Sequence, residues 1–351
     1  MIWFAWRQFR VQALIALTLL IALAIAFLVT GPNLVHTYNT TIVGCNARGN
    51  CNGSIGSFLS AYPFLQNLLT ESWLLAVLIG IFWGAPVVAR EFDTGTYRLA
   101  WTQSASRTQW LTAKIVVGGL ASVVTAGLFT LMATWWSSPL DRVRDQPFSL
   151  FDTRDIVPIG YALFAFTLGV AVGAVVRRTI PTMAVTIAGF AAVRGLFNFY
   201  IRPHFAAAMH TVTKFQLPIG NGNGNGISLR LGLNPGDWTL SDKIENAAGK
   251  VFPQLGSGFG FQTNANGSTS FVGAGVCPNK IPYGLGHSGN SGPPKAVQEA
   301  LSKCVSSFHL TNYLSYQPAS RYWSFQWYEL ASYAVLSLIL VTFSVWWIRR
   351  R

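Results

Sequence analysis

The sequence predicts an all-α, polytopic membrane protein with six membrane-spanning helices. Hydrophobic residues make up 51% of the chain and charged residues only 11%, whereas about 25% of the residues in a soluble domain are charged. Six apolar runs each approach the roughly 20 residues that a helix needs to cross the hydrocarbon core of a bilayer. Basic residues gather at alternate ends of these runs, which is typical of a multi-pass membrane protein.

The limits of the apolar runs give the predicted spans. They are residues 13–29, 72–89, 115–136, 156–176, 180–201 and 327–348. An even number of spans places both termini on the same side of the membrane. Arg7 and Arg10 precede span 1 and the arginines at 349–351 follow span 6, so the positive-inside rule makes that side the cytoplasm.

The formal net charge of +13 would suggest a nucleic-acid partner if the protein were soluble. Here the basic residues lie mainly at predicted cytoplasmic ends, so the charge reflects topology and no nucleic-acid partner is expected. A secondary role is to hold anionic lipid headgroups. The loop between spans 3 and 4 argues slightly against this topology, because it places Arg142, Arg144 and Arg154 outside, together with four aspartates.

Residues 1–12 predict a separate amphipathic elbow helix in the cytoplasmic headgroup layer. Trp3, Trp6 and Phe9 recur at near-helical spacing, with arginines and glutamines between them. This pattern places rings at the interface and guanidinium groups towards phosphate. The alternative is a cleaved signal peptide. The sequence disfavours it, because the apolar run exceeds the ~7–15 residues of such a peptide and no clear small-residue cleavage site follows.

The loop at 90–114 is short, basic and predicted to be both cytoplasmic and ordered. It carries four of the basic residues, and Gly95 can end the helix of span 2. Residues 96–103 can form two helical turns, and Ser106 can N-cap a helix that continues through Trp110 into span 3. An ordered cytoplasmic helix between two spans is suited to receive force from a soluble partner.

Two segments are predicted to lie outside the cell membrane, residues 30–71 and 202–326. The second is long enough to fold as a domain of its own, of α+β or irregular structure. Within it, residues 242–251 and 294–305 predict helices. The last predicted domain comprises residues 327–351, which hold span 6 and the cytoplasmic tail.

All four cysteines, Cys45, Cys51, Cys277 and Cys304, fall in these outer segments. Because disulfides persist on the oxidising face of a membrane, this placement supports the topology. Four cysteines allow three pairings. The local pairs 45–51 and 277–304 are favoured, because each closes within one segment. No metal site is expected, since no second close Cys or His pair has zinc-like spacing.

The sequence contains no pattern that predicts a catalytic site. It lacks the glycine-rich loop ending in Gly-Lys-Ser/Thr that cradles ATP, and no Ser-His-acid set or carboxylate pair stands out. Glu71 and Glu329 lie at the outer ends of spans 2 and 6, where solvation at the interface is the simplest interpretation. A proton-coupled carrier usually needs buried carboxylates or histidines along its path.

Span 5 carries the residues from which a transport path is predicted. They are Thr182, Thr186, Phe190, Arg194, Phe197 and Asn198. The polar members lie close to one helical face, and a polar stripe normally faces protein or water rather than lipid. In a dimer, spans 2 and 5 are expected to line the central interface. The alternative is helix packing within one subunit. Arg194 either snorkels to the outer headgroups or lines a polar cavity.

Two further features concern helix geometry. Gly169 and Gly173 lie four residues apart in span 4, which allows another helix to approach closely. Pro86 is expected to kink span 2 just before the cytoplasmic loop.

Four motifs point to a known family. The loop after span 2 contains Arg90-Glu91-Phe92, Gly95-Thr96, Thr102-Gln103-Ser104 and Trp110-Leu111 with Lys114. The others are Trp6-Arg7-Gln8, the sequence YQPASRYWSFQW at 316–327 and VWWIRRR at 345–351. Together they resemble the permease subunits of ATP-binding-cassette (ABC) exporters, in the branch found in actinobacteria. The resemblance covers the membrane portion and is weakest over residues 202–326.

The resemblance implies an elbow helix, a coupling helix after span 2, and two permease subunits on two separate ATPase subunits. The permeases form a homodimer, or a heterodimer with a related chain, in a bacterial plasma membrane. ATP and Mg²⁺ belong to the ATPase and no cofactor to this chain. The residues expected at the ATPase contact are Glu91, Gly95, Thr96, Tyr97, Arg98, Leu99, Trp101, Thr102 and Gln103.

The expected function is therefore outward transport of a hydrophobic or amphipathic substrate. Two other classes remain open. A membrane-anchored sensor or immunity component would bind a ligand through residues 202–326, although a sensor seldom needs six spans. An integral membrane enzyme would need clustered acids or histidines outside, and Asp237, Asp242 and Glu245 form only a loose cluster.

Overall fold

A computed structural model of the protein describes residues 2–43, 52–95, 106–144, 147–214, 236–245, 260–263, 269–272, 303, 309 and 311–350. The expected coupling helix at 96–103, all four cysteines and nearly all of the helix expected at 294–305 lie outside these residues, so they stay predictions. The chain divides into two compact units. The first comprises Met1–Phe205 and Ser320–Arg351, and the second Ala206–Ala319.

The first unit is helical. Its helices are α1 (Ile2–Thr37), α2 (Asn52–Leu59), α3 (Pro63–Thr70), α4 (Trp73–Ile79), α5 (Ala85–Asp93), α6 (Arg107–Arg144), α7 (Val157–Val176), α8 (Thr179–Leu196) and α9 (Tyr322–Arg350). The π-helical segments Tyr38–Val43, Gly80–Gly84 and Phe197–Ile201 continue α1, α4 and α8. Short 3₁₀ helices cover Pro147–Leu150, Arg202–His204 and Ala319–Arg321.

Six helical segments among the described residues are long and apolar enough to cross a membrane. They are Phe9–Val43, Trp73–Asp93, Arg107–Val143, Val157–Val176, Thr179–His204 and Ala319–Arg350. Each contains all or nearly all of one predicted span, which confirms the prediction of six. We number them spans 1 to 6.

One end of the bundle, here the basic end, collects the cationic termini of the spans. It carries Arg7, Arg10, Arg90, Arg107, Arg177, Arg178, Arg349 and Arg350. Phe9 of α1, Trp110 of α6 and Ile348 of α9 belong to one buried apolar cluster, so the first and last helices meet α6 at this end.

Helix α1 joins the predicted elbow and span 1 in a single helix. Residues 2–37 are helical without a break, whereas the sequence predicts a separate helix at 1–12. No glycine or proline occurs between residues 2 and 30, so no residue there favours a helix end. Phe9 contacts the ring of Trp83 edge-on, with centroids 4.9 Å apart, and this contact fixes the start of α1 against span 2.

The predicted N-cap of span 3 is confirmed. The backbone N–H of Gln109 donates to Ser106 Oγ at 3.2 Å, and the Gln109 side-chain oxygen accepts from the N–H of Ser106 at 3.4 Å. This reciprocal pair satisfies two N–H groups that the first helical turn leaves without partners. Helix α6 therefore begins at Arg107.

Helix α7 lies at the centre of the first unit and packs against α4, α5, α6, α8 and α9. Its close approach to span 2 depends on glycine. A Cβ on Gly169 would lie 2.6 Å from the backbone N of Ala85, and one on Gly173 would lie 3.1 Å from the Ala85 carbonyl oxygen. The prediction of a close helix contact at this glycine pair is confirmed.

Span 2 changes from π to α geometry next to Pro86. Proline has no N–H to donate to the carbonyl four residues earlier, which is that of Phe82. The side-chain amide of Gln12 donates to this carbonyl oxygen at 3.0 Å. A residue of α1 thus supplies the hydrogen bond that the proline cannot make.

The second unit contains β-strands. They are β1 (Met209–Lys214), β2 (Trp238–Glu245), β3 (Gly260–Thr263), β4 (Thr269–Val272) and β5 (Thr311–Gln317). One antiparallel sheet has the order β1-β5-β2, and β3 pairs with β4 in a second. A β-bulge interrupts the β2–β5 register between Thr239 and Ser241.

The helix expected at 242–251 is wrong for its described part. Residues 242–245 belong to β2, where Asp242 pairs with Leu314 and Ile244 with Asn312. Ile244 is buried while the neighbouring Lys243 is exposed, which is the alternation of a strand. The charged residues of this stretch favoured a helix, but pairing with a distant strand overrides that local preference.

We predict that Gly169→Ala destabilises the protein, because the added methyl group meets backbone atoms of span 2 that have no room to move. Overpacking of this kind costs about 1–3 kcal/mol. The matched control is Gly195→Ala in α8, where a Cβ meets no atom of the chain within 4 Å. Thermal unfolding in detergent, followed by size-exclusion chromatography, should show a lower Tm for Gly169→Ala alone. Equal Tm values for the two variants would contradict the close contact.

Candidate functional site

Three side chains link the two helices that flank the predicted coupling segment. The Lys114 ammonium of α6 pairs with Glu91 Oε1 of α5 and donates to the Val87 carbonyl oxygen at 3.1 Å. The indole N–H of Trp110 donates to Glu91 Oε2 at 3.1 Å. The side chains of Lys114 and Glu91 are only 5% and 11% exposed. We call Glu91, Trp110 and Lys114 the basic-end cluster.

The end of α5 makes two further contacts with its surroundings. The Asp93 carboxylate accepts hydrogen bonds from the backbone N–H and the hydroxyl of Thr179, at 3.5 and 3.3 Å. The guanidinium of Arg177 lies over the ring of Phe92, 5.1 Å from its centroid. Span 2 is therefore tied to the start of α8 as well as to α6.

The described part of the predicted ATPase contact is its beginning. Gly95 has a φ of +74°, a left-handed conformation that glycine adopts readily at the end of a helix. The prediction that Gly95 ends the helix of span 2 is confirmed, since α5 stops at Asp93. Glu91 faces into the bundle, where it positions α5 against α6. The seven expected contact residues from Thr96 to Gln103 lie outside the described part of the chain.

A second polar cluster lies at the opposite end of the bundle. It consists of Asp152, Tyr161, Arg194, Arg202 and Glu329, and we call it the opposite-end cluster. Arg202 Nε lies 2.7 Å from Glu329 Oε2, and Arg194 lies 2.8 Å from Asp152 Oδ2. Arg202 also pairs with Asp152. Two arginines and two carboxylates thus neutralise one another.

Tyr161 lies at the centre of the opposite-end cluster. Its hydroxyl accepts from Arg194 at 2.8 Å and lies 2.5 Å from Glu329 Oε1 and 2.9 Å from Asp152 Oδ1. With a single proton to donate, it bonds one carboxylate as donor at a time. The hydroxyl therefore joins α7, α8, α9 and the loop after α6 through one atom.

The interpretation of Glu329 as a solvated interfacial residue is wrong. Glu329 is completely buried, and its carboxylate is held by Arg202 and Tyr161. Arg194 pairs with Asp152 of the same chain rather than extending alone to the headgroups, and its place in a transport path stays a prediction. The signal that could have found this cluster is the presence of both acids and arginines near the outer ends of spans 4 to 6.

A third group of charges lies beside this cluster. Arg154 pairs with Asp141 and lies 3.6 Å from Asp155 Oδ2, and its Nε donates to the Tyr322 hydroxyl at 3.3 Å. Arg154 therefore balances part of the negative charge of Asp141 and Asp155, whereas Asp152 pairs with the arginines of span 5.

The predicted path residues of span 5 have neighbours within the same chain. Thr182, Thr186 and Phe190 are no more than 1% exposed, and each threonine hydroxyl donates to the carbonyl four residues earlier at 2.7 Å. Phe197 contacts the ring of Tyr333 with centroids 4.5 Å apart, and Asn198 accepts from Arg202 at 3.1 Å. This arrangement is what the packing alternative expects.

Comparison with known families adds a second line of evidence to this geometry. The family model described as ABC-2 membrane transporter related matches residues 17–202, more than half of the chain. The chain belongs to this family. It matches no curated protein and no solved structure among those compared.

Membership of the ABC-2 membrane transporter related family agrees with the six apolar helices, and together they identify a multi-pass membrane protein. A protein of this family is a membrane transport component, a permease that works with an ATP-binding-cassette partner. The matched region includes the whole basic-end cluster and all of the opposite-end cluster except Glu329. It leaves out α9 and the strand-containing unit.

The basic-end cluster predicts a specific double-mutant result. Glu91→Gln retains an acceptor for Trp110 but leaves the buried ammonium of Lys114 without its counter-charge, a loss of about 3–5 kcal/mol. Glu91→Gln/Lys114→Met removes that charge and should recover most of the stability. Thermal unfolding of the purified protein measures both variants. Glu71→Gln, at an exposed acid, should stay within about 0.5 kcal/mol of wild type. If the double variant is no more stable than Glu91→Gln, the charge pair does not hold α5 to α6.

The opposite-end cluster predicts a pH dependence through Asp152, which lies in the loop outside the spans. Burial alone would raise the pKa of this carboxyl, but Arg202 and Arg194 outweigh burial and lower its pKa to about 2. A lowered pKa stabilises the folded state above the unfolded pKa of about 4, and this stabilisation disappears as the pH falls towards 2. It amounts to about 2 kcal/mol.

We therefore expect Asp152→Asn to be less stable than wild type at pH 7, by about 2 kcal/mol, with the difference shrinking between pH 4 and pH 2. Unfolding temperatures measured across this range test the expectation, with Glu71→Gln at an exposed position as the control. A difference between wild type and Asp152→Asn that stays constant from pH 7 to pH 2 would show that the carboxylate charge contributes nothing.

Proposed function

We propose that the protein is the permease subunit of an ABC exporter from the branch found in actinobacteria. It moves a hydrophobic or amphipathic substrate outward across a bacterial plasma membrane. A separate ATPase subunit binds ATP and Mg²⁺ and supplies the energy. The observation that carries the proposal is the basic-end cluster, because it joins the two helices between which the ATPase contact is expected.

The basic-end cluster connects a force applied by the ATPase to a movement of the helices. Residues 96–105 run between α5 and α6, and Glu91 and Lys114 hold those helices together just beyond the two ends of this segment. A displacement of the segment by the ATPase is therefore transmitted to spans 2 and 3 together. Span 2 in turn contacts α7 through the glycines at 169 and 173, so the movement reaches the centre of the subunit.

The chemistry of the bundle supports a hydrophobic or amphipathic substrate. Asp152 and Glu329 are the acids of the opposite-end cluster, and both are already engaged by arginine. They are not free carboxylates of the kind that a proton-coupled carrier uses. Large apolar side chains dominate the outward surface of the helices, among them Ile180 and Phe199 of span 5.

The proposal includes an orientation and an oligomeric state. Both termini lie in the cytoplasm in this proposal, which the arginines of the basic end support through the positive-inside rule. Two copies form a homodimer, or one copy pairs with a related permease. Span 5 supports this proposal, because Ile180, Phe199 and Tyr200 present apolar surface that a second subunit would cover.

The experiment that tests the proposed function uses the permease co-expressed with a candidate ATP-binding-cassette ATPase. In Leu99→Ala/Trp101→Ala we expect at least a tenfold loss of co-purified ATPase and of permease-stimulated ATP hydrolysis, because these side chains are the proposed apolar anchors. Trp346→Ala removes an exposed aromatic ring at the same end of the bundle and should leave both readouts unchanged.

Two outcomes would count against the proposal. Undiminished co-purification and stimulated hydrolysis in the double variant would show that residues 96–103 are not the ATPase contact. A wild-type protein that recruits no ATPase, yet binds a ligand through residues 202–326, would favour the sensor or immunity alternative.

A further inference from the structure

A groove of about 450 Å³ opens at the basic end, between the start of α6 and the end of α9. Polar side chains line one part of it: Thr108, Gln109 and Thr112 from α6, and Arg349 from α9. Val116 and Val345 line the part nearer the middle of the bundle. The groove is therefore polar towards the end of the spans and apolar towards their centre.

The charge of Arg349 is not neutralised by the protein within the described part of the chain, where it takes part in no ion pair. The described acids at this end are engaged elsewhere, Glu91 with Lys114 and Asp93 with Thr179. The neighbouring Arg350 differs, since its guanidinium lies 4.5 Å from the ring centroid of Trp346. Arg349 thus presents to the groove a cationic group that has no ion-pair partner among the described residues.

The polar part of the groove matches the chemistry of a phosphate group. A guanidinium forms charge-assisted hydrogen bonds with phosphate oxygens, and the hydroxyls of Thr108 and Thr112 and the amide of Gln109 are additional donors. Among the described residues, those that line the groove include no carboxylate that would repel an anion.

The apolar part of the groove favours a lipid over a soluble anion as the ligand. Val116 and Val345 would stay uncovered beside a small phosphate ion, whereas an acyl chain would cover them. Exposed aromatic rings of α9, Phe343 and Trp346, lie at the same level, as is common where a span meets the headgroup layer. The groove therefore has the polarity of a phospholipid, with a cationic mouth and an apolar floor.

We propose that this groove binds one anionic phospholipid. Its phosphate is held by Arg349 with Thr108, Gln109 and Thr112, and an acyl chain lies along Val116 and Val345. The assignment of this lipid to the cytoplasmic leaflet depends on the orientation given under the proposed function, but the binding itself does not.

The bound lipid joins α6 to α9 beside the basic-end cluster, because the groove residues Gln109 and Thr112 of α6 are close in sequence to Trp110. Occupancy therefore holds the start of span 3 against span 6, next to the segment expected to contact the ATPase. Because the site is formed by the permease alone, it can be tested without an ATPase, and its failure would leave the proposed transport function untouched.

The test is native mass spectrometry of the full-length protein, delipidated in detergent and then titrated with phosphatidylglycerol or phosphatidylcholine of identical acyl chains. We expect one phosphatidylglycerol to bind at least tenfold more tightly than phosphatidylcholine. Arg349→Gln should abolish this preference. The matched control is Arg350→Gln, which removes the same charge one residue away and should retain the preference.

Two additional arms make the outcome decisive. Val116→Trp fills the floor without changing charge and should also weaken phosphatidylglycerol binding at least tenfold, while thermal unfolding verifies that each variant is folded. Equal losses in Arg349→Gln and Arg350→Gln would show diffuse attraction rather than a site. Competition by millimolar inorganic phosphate, with no effect of Val116→Trp, would show a soluble-anion site. Either result overturns the proposal.

Discussion

The helical unit depends on the pairing of charges inside an apolar bundle. An isolated ammonium or carboxylate in such surroundings is strongly unfavourable, so each must meet an opposite charge with good geometry. Lys114 and Glu91 do this at the basic end, and Arg202 and Glu329 at the opposite end. The first pair joins the consecutive spans 2 and 3, and the second joins residues 127 apart in the sequence. The middle of the bundle is left to α7, whose glycines permit close contact with span 2.

The two clusters of paired charges lie at opposite ends of the subunit and connect different sets of helices. The basic-end cluster lies on spans 2 and 3, beside the segment on which a cytoplasmic partner would act. The opposite-end cluster connects spans 4, 5 and 6 with the loop after α6. Helix α7 contacts every other helix that carries a member of either cluster, so it provides one direct route for movement between the two ends.

The sequence predicted the parts of the fold that local physics determines. The length of the apolar runs predicted the six spans, Ser106 predicted the start of span 3, and the glycines at 169 and 173 predicted a close helix contact of α7. The sequence did not reveal the partner of Glu329, because Arg202 lies 127 residues away and pairing over such a distance leaves no local pattern. The strand at 242–245 was missed for the same reason, since its partner β5 lies far along the chain.

The hydrogen bond from Gln12 to the Phe82 carbonyl has a consequence for α1. A second bond, from the Trp136 indole N–H to Thr30 Oγ1 at 2.9 Å, holds the same helix near its other end. The two contacts are 18 residues apart, a whole number of turns at about 3.6 residues per turn, so both lie on one stripe of α1. Most of the surrounding surface of α1 is exposed. These two polar contacts therefore help to set the rotation of this helix about its own axis, together with the ring contacts of Phe9 and Phe27. Adding or removing one residue between them would turn one contact away by about 100°, so the length of this stretch is as constrained as its composition.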